Sequence, residues 1–117
     1  MVYMERLERI ATINELLDIY GSLLTQRQQE ALASCYQEDL SLAEIAEITG
    51  GTRQAAHDLI HRGESQLLHY EEQLQILANQ QQRRAAAEQL SSLLATLPLS
   101  EEQRQQAAQL LTVLSGS

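Results

Sequence analysis

Residues 41–62, with the sequence SLAEIAEITGGTRQAAHDLIHR, constrain the fold of this chain more than any other stretch. Ser41 and Glu44 have the spacing of a capping box, in which two side chains satisfy free backbone N–H groups at the start of a helix. The Gly50–Gly51 pair is expected to end that helix, because glycine adopts the left-handed conformation at little cost. Thr52 is then placed to cap a second helix. The pattern predicts a helix-turn-helix.

The composition extends the helical prediction to the whole chain. The 117 residues include no Phe and no Trp, and Leu, Ala, Gln and Glu are abundant. These four residue types favour helices, whereas the aromatic and β-branched residues that favour strands are scarce. Two more capping pairs, Thr25 with Gln28 and Ser100 with Gln103, mark the starts of further helices. We therefore predict an all-α fold.

Apolar residues at helical spacing predict how the chain is organised. Residues 1–78 are expected to form a helix-turn-helix domain with a core of three to four helices, and residues 79–117 a C-terminal helical extension. The first helix is expected over about residues 4–20. The helix after Thr52 is expected to continue to Asn79, because no residue that stops a helix comes earlier.

The C-terminal extension is rich in leucine. The polar stretch 79–84 is either an exposed helix or a bend, and apolar faces follow it on both sides of Pro98. These faces either fold back on the first helix or meet the same helices of a second copy. Residues 85–114 are long and Leu-rich for one small core, which favours a homodimer through the C-terminal helices.

The charge and the remaining residue types limit the classes of function. The net charge is −8, and no signal peptide or long apolar run is present. We therefore expect a cytoplasmic protein that does not bind a membrane, and the single Cys35 is consistent with a reducing compartment. No nucleophile is paired with a base, and no glycine-rich phosphate loop is present, so neither enzymatic activity nor a cofactor is predicted.

The second helix of the helix-turn-helix carries the candidate binding residues. In such folds the outward residues at the start of this helix contact the nucleic acid, through Arg to guanine or phosphate and Gln to adenine. The candidates are Thr52, Arg53, Gln54, His57, His61 and Arg62. The alternative is that they form the solvated face of a surface helix. The two histidines are four residues apart, a spacing that can hold zinc, but no further ligand is evident and no metal site is predicted.

Several stretches together resemble the YlxM family of small bacterial helix-turn-helix proteins. The stretches are SLLT at 22–25, SLAEIAE at 41–47, RQA at 53–55 with Asp58 and Arg62, and YEEQL at 70–74. The resemblance spans roughly residues 7–77. It implies an all-helical fold like region four of sigma factors and a regulatory role in binding DNA or RNA. It also implies a tie to the signal recognition particle, beside whose genes the family is typically encoded.

Four residues depart from the usual pattern of the family or of helix-turn-helix proteins. Gly51 and Ala56 are smaller than the apolar residues usual at the turn and under the second helix. His57 replaces a common aromatic residue, and His61 stands where a lysine is frequent.

Two hypotheses about function follow from the sequence. The first is a DNA- or RNA-binding regulator that modulates protein targeting by the signal recognition particle. The second is a protein–protein adaptor, in which acidic, Leu-rich helices bind a basic partner and the helix-turn-helix is only a scaffold. Residues 41–62 favour the first by their pattern, but they carry a charge of −1 with neutral histidines and are not a basic patch.

Overall fold

The structure, a computed structural model, describes residues 2–116, and the side chains from residue 4 onward. This range contains six α-helices and no strand, which confirms the predicted all-α, helix-turn-helix class. The elements are α1 (Val2–Tyr20), a 3-10 turn (Gly21–Leu23), α2 (Gln26–Tyr36), α3 (Leu42–Thr49), α4 (Arg53–Leu74), α5 (Ile76–Ala95) and α6 (Glu101–Ser115).

The contacts divide the helices into two compact units. Helices α1–α4 form the first unit, which ends at Gln75, and α5 and α6 form the second, which begins at Ile76. The division into domains at residues 1–78 and 79–117 stays a prediction, because contacts within one chain do not establish which segments fold independently.

The predicted helix caps are present in both units. Thr25, Ser41 and Ser100 each accept a hydrogen bond from the backbone N–H three residues later, and the Gln or Glu side chain at that later position accepts one in return. Gly50 ends α3 in the left-handed conformation, with φ of 77°, and Thr52 caps α4 through its side chain. Local sequence therefore determines where these four helices begin.

The core of the first unit lies around α4, which packs against α1, α2 and α3. Each helix contributes apolar side chains at three- and four-residue spacing. The buried side chains on these helices include Ile13, Leu16, Leu17, Tyr20, Ala31, Leu32, Ile45, Ala46, Ala56, Ile60 and Leu67.

Helices α2 and α4 approach each other closely at Gly63. A Cβ atom at this position would lie 2.7 Å from Cδ1 and 3.3 Å from Cγ of Leu32. The Leu32 side chain is fully buried and cannot move aside without disturbing its neighbours. The glycine therefore serves packing, although a glycine inside a helix costs about 1 kcal/mol relative to alanine.

Tyr20 joins α1 to the C-terminal half of α4. Its hydroxyl donates a hydrogen bond of 2.7 Å to Glu71 Oε1, and its ring lies 5.9 Å from the ring of Tyr70, measured between centroids. The residue is buried, so the carboxylate gives its hydroxyl the partner that a buried polar group requires.

The predicted course of α4 was wrong beyond Leu74. The helix does not continue to Asn79, because Gln75 takes the left-handed conformation with φ of 54° and α5 begins at the next residue. The N–H of Gln75 still donates to the Glu71 carbonyl at 2.8 Å, so the break costs α4 no hydrogen bond at this point. Gln75 is neither glycine nor asparagine, which explains why the sequence carried no stop signal.

The structure also decides between the two alternatives for the polar stretch. Residues 79–84 lie within α5, so the alternative of an exposed helix is correct and that of a bend is not. In the 3-10 turn that follows α1, Leu23 is exposed, whereas its neighbour Leu24 is buried. The tighter 3-10 turn rotates successive side chains by a larger angle than the α-helical spacing assumes.

The second unit is a hairpin of α5 and α6. Leu94, Ala107 and Leu111 are partly covered and line a shallow groove along it. Other large apolar side chains point outward, with Leu93 64% exposed and Val113 78% exposed. The further exposed members of this set are Leu90, Leu97, Leu110 and Leu114. None of the helices in the described range is long and apolar enough to cross a lipid bilayer.

Candidate nucleic-acid interface

The six residues predicted to bind nucleic acid are all exposed at the N-terminal half of α4. Their exposure follows from the helix periodicity, because Ala56 and Ile60 occupy the inward face and are buried. Thr52 is the N-cap, and its Oγ1 accepts a 3.0 Å hydrogen bond from the N–H of Ala55. Its hydroxyl hydrogen is not used in that bond and remains available to an acceptor.

One group of candidates faces the start of α3. Arg53, Gln54 and His57 line a groove of about 420 Å³ together with Leu42. The rings of His57 and His61 lie parallel one turn apart, with 6.2 Å between centroids and 3° between planes. These side chains combine donors, acceptors and flat rings, the groups that contact base edges and phosphates.

A carboxylate lies beside this group. Asp58 Oδ1 accepts a hydrogen bond of 3.1 Å from Gln54 Nε2, and it lies 3.6 Å from His57 Nδ1. The bond from Gln54 occupies an amide N–H that adenine recognition would use. The negative charge also opposes the approach of phosphate, so Asp58 weakens the non-specific part of any binding.

Arg62 lies on another side of α4 from the Arg53 group. It lines a separate cleft of about 630 Å³, together with Thr49 at the end of α3 and residues 25–28 around the start of α2. The structure therefore places the candidates in two groups along one helix rather than in a single cluster.

The guanidinium groups of Arg53 and Arg62 are unpaired within the described part of the chain. Neither has an acceptor at hydrogen-bond or ion-pair distance there. Arg9 differs, because its Nη2 lies 3.0 Å from Glu64 Oε2. Two free guanidinium groups in an acidic unit are notable, since abundant carboxylates would readily pair with exposed arginines.

A polar network under α4 was not foreseen from the sequence. Glu64 is buried, accepts one hydrogen bond from Arg9 and another from the Tyr36 hydroxyl, and so links α4 to α1 and α2. Burial, and then the hydrogen bond to Glu64, raises the pKa of Tyr36. Burial, together with the charges of Glu64 and Asp39, also raises the pKa of the Cys35 thiol. A network of this kind fixes the helix that presents the candidate residues.

The same network bears on the two histidines. Both carboxylate oxygens of Glu64 accept hydrogen bonds, which occupies the carboxylate one turn beyond His61. Among residues 2–116, no group of three or more His, Cys, Asp or Glu side chains is arranged to hold a metal ion.

The fold and this exposed helix define a helix-turn-helix protein. The chain belongs to the family described as "UPF0122: Putative helix-turn-helix protein, YlxM / p13 like", which matches residues 7–110. The resemblance to YlxM proteins inferred from the sequence is thereby confirmed, and it extends further toward the C-terminus than residue 77.

Curated relatives in several bacteria are similar to this chain. UPF0122 protein STH1464 of Symbiobacterium thermophilum is 45% identical over 105 residues, which cover 90% of this chain and 95% of the relative. A UPF0122 protein of Clostridium botulinum is 54% identical over 65 residues, covering 56% of this chain and 60% of the relative. One from Clostridium kluyveri is 51% identical over 70 residues, covering 60% and 62%. The matched segments thus span about three fifths of these clostridial relatives.

Proposed function

We propose that this chain is a non-enzymatic, cytoplasmic regulator that binds DNA or RNA through the exposed face of α4. The observation that carries the proposal is the pair of unpaired, exposed guanidinium groups of Arg53 and Arg62 on the second helix of a helix-turn-helix. Arginine binds phosphate and guanine through a planar fork of donors, and a guanidinium without an internal partner need not break an ion pair to do so.

The charge of the first unit predicts the kind of binding. Glu88, Glu101 and Glu102 of the second unit are balanced by Arg83, Arg84 and Arg104, so the net charge of −8 lies entirely in the first unit. Such a unit repels nucleic acid at long range, and only the few arginines near α4 neutralise phosphates. The affinity of one copy is therefore weak and strongly reduced by salt.

A second copy of the chain would strengthen this binding, and we propose a homodimer formed by the α5–α6 hairpins. Six large apolar side chains of the hairpin are exposed, and exposed apolar surface of this kind marks contacts with other protein molecules. The hairpin carries no net charge, so two hairpins meet without like-charge repulsion. Two hairpins packed together would form a four-helix bundle, which buries such leucines effectively.

We further propose that the regulated process is protein targeting by the signal recognition particle. Support for this part comes from the family resemblance alone, which leads us to choose the RNA of that particle as a probe. The adaptor hypothesis is favoured only by the exposed leucines. Its basic partner would have to bind an acidic helical surface, whereas the Leu-rich hairpin is neutral.

Fluorescence anisotropy at low salt tests the proposal. Labelled duplex DNA and labelled signal recognition particle RNA are titrated with the wild-type chain and with Arg53→Ala and Arg62→Ala. Each substitution removes one cationic contact and is expected to weaken binding about fivefold, without preference for sequence if the contact is to phosphate.

The matched control is Arg84→Ala, which removes the same charge from the exposed surface of α5. It is expected to leave the affinity unchanged. If the wild-type chain binds neither probe at low salt, nucleic-acid binding is contradicted and the adaptor hypothesis is left. Binding to duplex DNA alone would contradict the proposed link to the signal recognition particle RNA.

A further inference from the structure

The cleft beside Arg62 contains a second arginine that the sequence analysis did not select. Arg27, in the first turn of α2, lines this cleft of about 630 Å³ from the side opposite α4. The two arginines are 35 positions apart in the chain and come together only because α2 packs against α4. The cleft is open to solvent and large enough for a segment of sugar–phosphate backbone.

Arg27 is exposed and unpaired, as Arg62 is. Within the described residues its guanidinium has no acceptor at hydrogen-bond or ion-pair distance. The acidic residue one turn along α2, Glu30, accepts a 3.0 Å hydrogen bond from Gln26 instead. Asp58 also lines the cleft and accepts a hydrogen bond from Gln54, so it is paired with neither arginine and sets one negative charge against their two positive charges. Two free guanidinium groups therefore share one cleft in a strongly acidic unit.

We propose that this cleft holds the nucleic-acid backbone, with Arg27 and Arg62 each binding a phosphate of one strand. The inference rests on the proposed function and deepens it, because it assigns a binding residue outside the helix-turn-helix segment. Contacts to phosphate carry little sequence information, but they fix the position and orientation of a protein on its nucleic acid. The cleft would thus set how α4 lies against the bases, while the Arg53 group contacts the base edges.

The test measures how binding depends on salt for variants of the full chain. Arg27→Gln, Arg62→Gln and the double variant are titrated with duplex DNA and with signal recognition particle RNA at several salt concentrations. Each single substitution is expected to weaken binding about fivefold and to make the slope of log K against log salt shallower by about 0.9 on duplex DNA. The double variant should lose about twice as much slope. These losses of affinity and slope are expected on the nucleic acid that the cleft binds, whether DNA or RNA.

Two control variants separate a phosphate contact from a general effect of net charge, and circular dichroism checks the folding of every variant. Arg84→Gln removes an equal charge from the hairpin and should change neither affinity nor slope. Arg27→Lys keeps the charge and should keep the slope of the wild-type chain, with an affinity between those of the wild type and Arg27→Gln. Circular dichroism should show unchanged helix content for all variants, because Arg27 is exposed.

The possible failures of the two proposals are distinguishable. If the wild-type chain binds and Arg53→Ala weakens binding, while Arg27→Gln changes neither affinity nor slope, the cleft inference is wrong and the proposed function stands. If Arg27→Gln and Arg84→Gln weaken binding equally, the effect is one of net charge and the cleft is not a site. If the wild-type chain binds neither probe, both proposals fail.

Discussion

The two units of this chain both contain regular, capped helices, but they differ in how far these helices bury their apolar side chains. In the first unit, four helices enclose fully buried residues such as Leu16 and Leu32, and the unit carries the entire net charge of −8. In the hairpin, the charges balance and large side chains such as Leu93 and Val113 point outward. Regular helix caps occur in both units, so caps alone do not distinguish a helix with a core from one without.

The difference shows that apolar spacing in a sequence predicts an apolar helix face but not whether that face is buried. Leucines at helical spacing predict an apolar face in both units. Only in the first unit do enough neighbouring helices contact that face to bury it, and there α4 packs against three other helices. The hairpin places the same pattern on two helices, and two helices can bury one seam between them but not their flanks. The flanks are therefore the surface on which a second copy is expected.

The largest expected effect comes from truncating the core of the first unit. Leu32→Ala removes a side chain that is 0% exposed and packs against Gly63, and should lower the free energy of unfolding by about 3 kcal/mol. The comparison variant Leu93→Ala truncates a side chain that is 64% exposed and should change it by less than about 0.5 kcal/mol in a monomeric sample. Urea unfolding followed by circular dichroism measures both values. Equal losses in the two variants would contradict the described difference between the units.

A smaller effect is expected from charging the outward face of the hairpin. Leu93→Glu together with Leu110→Glu places like charges where two hairpins would meet, and should raise the dimer dissociation constant at least about tenfold, which corresponds to 1.4 kcal/mol. Sedimentation velocity over a range of concentrations follows the shift. The control Arg84→Glu changes a charged position of α5 and should shift the constant less. A monomeric wild-type chain at high micromolar concentration would contradict the homodimer.

Much of the fold could be predicted from local sequence. The capping pairs and the glycine at the turn act over three or four residues, so the starts of α2, α3, α4 and α6 were predictable. The end of α4 was not, because Gln75 adopts a left-handed conformation that its residue type does not favour. The requirement for Gly63 was hidden as well, since it depends on contact with Leu32 from another helix.

The candidate site was predictable only in part, for the same physical reason. Helical periodicity was sufficient to assign the exposed residues of α4, including Arg53 and Arg62. It could not place Arg27 beside Arg62, because that juxtaposition arises from the packing of α2 on α4. Nor could it show that Glu64 is committed to Arg9 and Tyr36, which are far from it in sequence.

The salt dependence of nucleic-acid binding by the wild-type chain tests the central claim most directly. Arg27, Arg53 and Arg62 are the proposed cationic contacts, so one copy is expected to show a slope of log K against log salt of about −2.7 on duplex DNA. A dimer that engages both copies is expected to show a slope of about −5.4. Anisotropy titrations between about 50 and 200 mM salt give this slope. A slope near these values supports binding through the arginines of the first unit. No binding at the lowest salt, or a slope near zero, would contradict it.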